Sequence, residues 1–190
     1  MTGHAVDNKT DRDIGEQWEG HFCRLAAEYG KVLFPNQISR PGKSAAAFGK
    51  RRDGTWEKYT LPDVTIFSAP GEHHEIKHKN RTRDGAYGWE QYRLSAAVRW
   101  ANTTGQRVYY TIHDWELAGA SSSSDEVMRN HIDDWVYADV EDLCLDRTYT
   151  RICKSYYNSG TREFPTDFWA AGEYFRPLKE LWVPGLRVGP

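Results

Sequence analysis

The sequence predicts a single α/β domain, in which a mixed β-sheet of about four or five strands is flanked by helices and followed by extra C-terminal elements. Residues 14–26 repeat apolar side chains at the spacing of an amphipathic helix. β-prone segments follow at 31–38, 56–68 and 73–79, and another lies at 107–115, beyond a second helical pattern. A chain of 190 residues has the size of one domain and can bury a sizeable core.

The domain boundaries follow from where these patterns begin and end. Residues 1–12 are expected to form a flexible N-terminal tail, and 13–190 to form one domain. Its core is predicted at about 14–115, with a C-terminal extension at about 116–190. The first helix begins at Ile14, since an acidic N-cap precedes it and apolar residues recur on one face.

The remaining elements are predicted from turn residues and periodicity. Residues 39–54, with three glycines and five basic residues, indicate a mobile loop or a loosely paired hairpin. The strands at 56–68 and 73–79 form a β-hairpin around an Ala-Pro-Gly turn. Helices are expected at 86–101, with Trp89, Tyr92, Ala96 and Trp100 on its inner side, and from a Ser124 cap to Leu143. A strand follows at 147–157, and an aromatic tail packs back on the domain.

The composition restricts the cellular setting. Hydrophobic residues make up 39% of the chain and charged residues 27%, as in ordinary globular proteins. Cys23, Cys144 and Cys153 are widely separated, which argues against a disulfide framework and against a thiolate zinc site. No apolar run is long enough to span a bilayer, and the N-terminus lacks the layout of a signal peptide. We therefore expect a cytoplasmic protein, without a membrane partner or an organic cofactor.

The charge is distributed unevenly along the chain. Residues 31–110 contain 14 Lys/Arg against 7 Asp/Glu, whereas residues 111–190 contain 8 Lys/Arg against 14 Asp/Glu. A basic middle segment between acidic ends favours one face that binds a polyanion.

The stretch "HHEIKHK" at 73–79 contains two overlapping motifs. His74 to His78 match H-E-x-x-H, the zinc-peptidase signature, which requires a helix that places both imidazoles on one face. Pro70 and Gly71 stand directly before the motif, and Ile76 is its only aliphatic anchor. A helix is therefore disfavoured, although the roles of His73, His74 and His78 stay open.

As a strand, the same stretch sends alternate side chains to opposite faces. Glu75 and Lys77 then project together, away from His74 and His78. Asp63, in the preceding strand of the predicted hairpin, lies within reach of Glu75 across the ladder. Two carboxylates form a hard oxygen site suited to Mg²⁺, with the lysine ammonium beside it.

The set "LPDVTIF…HHEIKHK" resembles the P-D…(D/E)-x-K core of the restriction-endonuclease-like nuclease superfamily. The flanking stretches "GEQWEGHFCRLAAEYGKVLF" and "WEQYRLSAAVRWANTTGQRVYYTI" are similar in layout to archaeal Holliday-junction-resolvase-like members. The resemblance covers roughly residues 14–113 and leaves the C-terminal third without a counterpart. It implies a restriction-endonuclease-like core fold.

The resemblance also implies roles for individual residues. Asp63 and Glu75 would hold Mg²⁺, or Mn²⁺ as the alternative ion, with the backbone carbonyl of Ile76 as a further ligand. Glu19 matches the helix-borne acidic residue that completes the metal site, and Gln91 matches an inward polar residue of the second helix. Lys77 would orient the attacking water and offset charge at phosphorus.

The predicted function is that of a metal-dependent deoxyribonuclease, an endonuclease acting on structured or branched DNA in recombination, repair, restriction or phage DNA metabolism. A homodimer is compatible with this activity, because paired cuts need two sites. A catalytically silent nucleic-acid-binding module and an H-E-x-x-H zinc peptidase are the alternatives. DNA phosphates are expected to contact a set of basic residues: Arg40, Lys43, Lys50, Arg51, Arg52, Lys79, Arg81 and Arg83.

Overall fold

The computed structural model describes residues 8–36, 46–50, 54–68, 71–120, 129–157 and 160–183. Within these ranges the helices are α1 (Asn8–Glu28), α2 (Gln91–Thr104), α3 (Val140–Leu145), α4 (Ala171–Tyr174) and α5 (Leu178–Trp182), with a 3-10 turn at Ile132–Asp134. The strands are β1 (Leu33–Pro35), β2 (Ala46–Lys50), β3 (Trp56–Thr60), β4 (Val64–Ile66), β5 (Glu72–Lys79), β6 (Ala86–Glu90), β7 (Arg107–Asp114), β8 (Trp135–Asp139), β9 (Tyr149–Tyr157), β10 (Gly160–Ala170) and β11 (Arg176–Pro177). No helix within the described ranges has the length and apolar character needed to cross a membrane.

A six-stranded sheet with the order β1-β4-β5-β7-β8-β11 forms the centre of the molecule. β5 and β7 are parallel, whereas the neighbouring pairs are antiparallel, so the sheet is mixed. This confirms the predicted α/β class with extra C-terminal elements. The sheet exceeds the expected four or five strands because β8 and β11, from the C-terminal third, extend it.

Helix α1 covers one face of this sheet. Its buried residues Trp18, Phe22 and Leu25 form an apolar cluster with Ile76 of β5 and Trp135 of β8. The C-terminal helix α5 joins the same cluster through the buried Leu178 and Trp182. The aromatic tail therefore packs back on the domain, as predicted.

Helix α2 covers the opposite face. Leu94, Ala97 and Ala101 pack against alternate residues of β7, among them Tyr110 and Ile112. A three-stranded sheet, β6-β10-β9, joins this side of the molecule through the buried Tyr87, Trp89 and Trp169. The β2–β3 hairpin forms a separate two-stranded sheet. Of the predicted loop or hairpin at 39–54, residues 39–45 and 51–53 lie outside the described ranges, and 46–50 form β2.

Two predicted elements, the first helix and the strand at 56–68, differ from the structure in their boundaries. α1 begins at Asn8, so residues 8–12 belong to the helix and not to the predicted tail; no Pro or Gly interrupts 8–14. The segment 56–68 is two strands, β3 and β4. The break falls at Pro62, which has no backbone N–H to donate to a ladder.

The predicted helix at 86–101 begins later than expected. Residues Ala86–Glu90 form β6, which pairs with β10, and Trp89 stacks on Tyr110 at a centroid distance of 4.2 Å. The prediction missed this strand because its partner lies far along the chain. The inner side of the helix differs as well, and Tyr92 is 46% exposed.

The predicted helix from Ser124 to Leu143 is wrong over most of its described part. Residues 121–128 lie outside the described ranges. Trp135–Asp139 form β8, which pairs antiparallel with β7, and only Val140–Leu145 are helical. Pairing with the central sheet decides the conformation here, because "WVY" is β-prone despite its apolar spacing.

We predict that Gly88→Ala destabilises the protein. A Cβ at Gly88 would lie 2.5 Å from the ring of Phe168, which is 4% exposed and stacked on Tyr149. The ring cannot move without disturbing that stack, so overpacking should cost about 1–3 kcal/mol in the free energy of unfolding. Chemical denaturation measures this loss.

The control is Gly15→Ala in α1, where a Cβ would meet nothing within 4 Å. Removing a glycine from a helix should stabilise it by roughly 0.5–1 kcal/mol. Equal unfolding free energies for the two variants would contradict the packing of β6 on β10.

Candidate functional site

The β4–β5 hairpin places the two predicted carboxylates side by side. Its ladder ends at the pair Val64 and His74, so Asp63 and Glu75 lie directly beyond the last pair. The Asp63 Oδ2 atom accepts a hydrogen bond of 2.8 Å from the amide of Ile76. β1 holds the other side of this segment, because the Asn36 amide donates to the carbonyl of Asp63 at 2.8 Å. The backbone thus fixes the position of Asp63.

The residues of β5 alternate between the two faces as the strand interpretation predicts. His74 and Ile76 face α1, where Phe22 lies 5.0 Å from the His74 ring. Glu75 faces α2 and contacts Arg93. The H-E-x-x-H segment is therefore a strand and not the helix that a zinc peptidase requires.

The Lys77 ammonium lies among three oxygen atoms. Its Nζ is 2.8 Å from Oε1 of Glu75, 2.9 Å from the carbonyl oxygen of Ile76 and 3.6 Å from Oδ2 of Asp63. The Lys77 side chain keeps 22% of its surface exposed, whereas Asp63 keeps 5%. These three oxygen atoms, which are the candidate metal ligands, therefore surround one positive charge that is partly exposed to solvent.

Arg93 of α2 is a second cation at this site, and the sequence did not indicate it. Its Nη1 lies 3.3 Å from Oε1 of Glu75, and its Nε lies 3.8 Å from Glu90 and 3.0 Å from the hydroxyl of Tyr92. The nearby carboxylates raise the pKa of Arg93 despite its burial. The sequence would have indicated Arg93 only if the helix had been predicted to begin at Gln91. The predicted helix at 86–101 placed a different set of side chains on its inner face.

Gln91 does not contact Glu75 or Lys77 in the structure. Its amide nitrogen donates to Oδ1 of Asp167 at 2.8 Å, and the Thr150 hydroxyl donates to the same oxygen at 2.5 Å. Gln91 thus belongs to a polar cluster between α2 and β10, and Arg93 is the α2 side chain beside the carboxylates.

Glu19 of α1 lies in the electrostatic field of Asp63 and Glu75, and these three residues are here called the acidic group. Burial raises the pKa of Glu19 to about 8, with further increases from the charges of Asp63 and Glu75 and a decrease from Lys77. Burial and Glu75 raise the pKa of Asp63 to about 6, although Lys77 and the Ile76 amide oppose them. Burial also acts on Glu75, but Lys77 and Arg93 outweigh it and lower the pKa. The field of this group favours additional positive charge.

The donor set fits a hard divalent cation. Carboxylate and carbonyl oxygens are the ligands that Mg²⁺ takes from proteins, and Asp63, Glu75 and the Ile76 carbonyl supply them. The side chains alone are not arranged as a finished cage. Among the residues described, no group of three or more His, Cys, Asp or Glu could hold a metal ion.

The histidines near the motif have packing partners. His74 is fully buried and its Nδ1 lies 2.8 Å from the Thr111 hydroxyl. His78 lies 2.9 Å from His113, Nδ1 to Nδ1, and the Trp18 ring stacks on both imidazoles. Burial, together with His78, lowers the pKa of His113 to about 3, so the His113 imidazole is neutral at neutral pH.

His73 points to the other face, where it contacts Thr65, Gln106 and the ring of Trp100. The crowding of histidines on β5 is thus explained by contacts with both helices and with β7.

The predicted phosphate-binding residues fall into two groups. Lys79 is turned inward and donates to the carbonyl of Gly88 and the hydroxyl of Tyr110, both at 2.7 Å; burial lowers the pKa of its ammonium to about 8. Arg81 pairs with Asp114 at 3.3 Å, and Arg83 is exposed. The side chain of Lys50 and the residues Arg40, Lys43, Arg51 and Arg52 lie outside the described part.

Comparisons with known proteins give a likeness to a solved structure but no match in sequence. No family model and no curated protein matches the sequence. The structure of Archaeoglobus fulgidus Hjc, a Holliday junction resolvase from an archaeal hyperthermophile, superposes with a TM-score of 0.49 at 9% identity, covering 88% of this chain and 93% of that one. We therefore base the function on the contacts of the site itself.

We predict that the protein loses stability as the pH rises from 5 to 8 in EDTA. The pKa of Glu19 is about 8 in the folded state against an ordinary value of 4.5, so the folded state binds more protons in this window. Deprotonation of Glu19 then disfavours folding. Glu19→Gln should lose less stability over the same range, as measured by urea denaturation at each pH.

Glu28→Gln is the matched control, because Glu28 lies on the same helix and is exposed. Its stability should follow the pH dependence of the wild type. If Glu19→Gln follows the wild type as closely, Glu19 is not part of the acidic group.

Proposed function

We propose that this protein is a metal-dependent nuclease that hydrolyses phosphodiester bonds in DNA. The observation that carries the proposal is the position of the Lys77 ammonium, 2.8 Å from Glu75 and 3.6 Å from Asp63 on one hairpin. A cation beside two fixed carboxylates, partly open to solvent, is what phosphodiester hydrolysis with a divalent ion requires.

Asp63, Glu75 and the carbonyl of Ile76 would hold Mg²⁺ or Mn²⁺, with Glu19 binding directly or through water. When bound, the ion supplies a Lewis acid that activates water and neutralises charge on the phosphate. The raised pKa values of Glu19 and Asp63 support this assignment, because both carboxyl groups would ionise more readily beside an added cation.

Lys77 orients the attacking water and stabilises the charge that develops on the phosphate. Its ammonium has three N–H donors, and two of them are hydrogen-bonded to Glu75 and to the Ile76 carbonyl. One donor is left for a water or a phosphate oxygen. Arg93 holds Glu75 from the helix side and adds a second positive charge for the scissile phosphate.

We further propose that the substrate is branched or otherwise structured DNA, cut internally, in recombination, repair, restriction or phage DNA metabolism. The basic middle of the sequence supports binding to a polyanion, and the sequence contains no zinc-finger or helix-turn-helix motif for reading bases. Paired cuts in two strands would need a homodimer or two successive binding events.

A catalytically silent nucleic-acid-binding module is the second candidate. It is favoured by one observation, that no ready-made group of three side-chain metal ligands is present among the described residues. Such a module would bind DNA without cutting it in any metal ion.

We expect Lys77→Ala to reduce DNA cleavage by about 10²-fold or more, because it removes the donor beside the scissile phosphate. The measurement is cleavage of a four-way junction, a duplex and a single strand in Mg²⁺, Mn²⁺, Zn²⁺ or EDTA. Lys179→Ala is the control, because Lys179 pairs with Asp133 at 2.8 Å. This variant should cleave DNA as the wild type does.

Uncut DNA under every condition, with DNA still bound by the wild type, would contradict the nuclease and favour the silent module. Cleavage of casein that depends on Zn²⁺ and His74 would overturn both candidates. Circular dichroism and a denaturation curve for Lys77→Ala separate lost catalysis from lost folding.

A further inference from the structure

The hairpin of β9 and β10 extends beyond the sheet that supports it. β6 pairs only with Thr166–Ala170 at the base of β10. From Ile152↔Pro165 to Tyr157↔Gly160 the two strands pair with each other. This two-stranded segment, here called the ribbon, spans roughly 20 Å at about 3.4 Å per residue pair.

The two faces of the ribbon differ in charge. Arg162 lies on one face of the ribbon, and Arg151 lies on the same face at the base of the ribbon, because the pairs Arg151↔Thr166 and Arg162↔Ser155 are four ladder positions apart. We call this face the basic face. Both arginines are exposed. The opposite face carries Ile152, which is 60% exposed, and Lys154, which is paired with Glu163 at 3.5 Å. That face has no net charge.

The basic face lies next to the candidate active site. Phe164, on this face, contacts the ring of Tyr92 at 5.1 Å, and the Tyr92 hydroxyl accepts from Nε of Arg93. Arg151 stacks over the ring of Phe168 at 4.3 Å. Phe168 in turn pairs with Gly88, whose carbonyl accepts from Lys79. The exposed Tyr92 and the half-buried Phe164 therefore connect the ribbon to the α2 side of the site.

The charge of the ribbon contrasts with its surroundings in the sequence. Residues 151–165 contain three Lys/Arg and one Asp/Glu, within a segment, 111–190, that has 8 Lys/Arg against 14 Asp/Glu. A basic element inside an acidic part of the chain favours a polyanionic partner.

We propose that the ribbon is a duplex-DNA-binding arm of the nuclease, in which Arg151 and Arg162 bind backbone phosphates of the duplex that enters the active site. This inference rests on the proposed function, whose site it extends into the C-terminal third of the chain. Guanidinium groups bind phosphate oxygens through two parallel hydrogen bonds, which fixes the register of the duplex without reading its sequence.

Duplex DNA is the occupant that fits the shape. The major groove of B-DNA is about 12 Å wide and admits a two-stranded β-ribbon. The corresponding groove of an RNA duplex is deep and narrow and excludes side chains. An RNA duplex of the same sequence therefore serves as the discriminating ligand.

The test is equilibrium binding of a labelled 20-base-pair DNA duplex, measured by fluorescence anisotropy in EDTA over a range of salt concentrations. The double variant Arg151→Gln/Arg162→Gln should bind about 10-fold or more weakly. The slope of log affinity against log salt should fall by about 1.8, as expected for two lost phosphate contacts. Lys154→Gln, on the opposite face, is the matched control and should bind within twofold of the wild type.

Arg151→Lys/Arg162→Lys keeps the charge and should recover most of the affinity, which separates an electrostatic role from a folding defect. Wild-type affinity in the glutamine double variant, an equal loss in Lys154→Gln, equally tight binding of the RNA duplex, or no binding by the wild type would each overturn the proposal.

The ribbon and the nuclease can fail separately. Metal-dependent cleavage that is lost in Lys77→Ala, together with wild-type binding by the arginine variant, overturns the ribbon and leaves the nuclease. Arginine-dependent binding without cleavage in any metal ion overturns the nuclease and leaves a DNA-binding ribbon. Concentration-dependent dimerisation that the arginine substitutions abolish, without DNA binding, would assign the ribbon to contact with a second copy.

Discussion

The hydrogen bond from the Ile76 amide to the buried carboxylate of Asp63 is the constraint on which the site depends. It joins the two strands of the hairpin just beyond their last ladder pair. The Asp63 side chain is therefore held in place by a backbone group of the neighbouring strand. Asp63 is then held beside Glu75 although both carry negative charge. The repulsion is offset by Lys77, which reaches both carboxylates from the same strand.

This arrangement has consequences for both helices. α1 brings Glu19 into the field of two carboxylates, which raises its pKa, and anchors itself through Trp18 stacked on His78 and His113. α2 brings Arg93 to the opposite side of Glu75. The apolar clusters on the two faces of the sheet therefore have a second role besides stabilising the fold. They hold α1 and α2 in place, and so position Glu19 and Arg93 relative to the carboxylates of the hairpin.

The hairpin and its side-chain faces were predictable, because a strand has a period of two and Pro70 and Gly71 indicate a turn. The break at Pro62 was not predicted. Local pattern could not identify β6 and β8. Their conformation is set by pairing with β10 and β7, far away in the sequence. The missed β6 changed which side chains were assigned to the inner face of the predicted helix, so Arg93 was overlooked. Gln91 was expected beside the carboxylates because of the family resemblance alone. The basic face of the ribbon was not predicted for the same reason. The side chains that share a face are defined only by the register between β9 and β10.

The central claim is that Asp63, Glu75 and the Ile76 carbonyl form one divalent-cation site. The most direct measurement is anomalous diffraction at the manganese edge from crystals grown with Mn²⁺. The account predicts a peak within about 2.0–2.6 Å of oxygen atoms from all three residues, the range for hard-cation ligation, with the Lys77 ammonium moved away from them. A peak at the His78–His113 pair, or crystals without a peak near Asp63 at millimolar Mn²⁺, would contradict it.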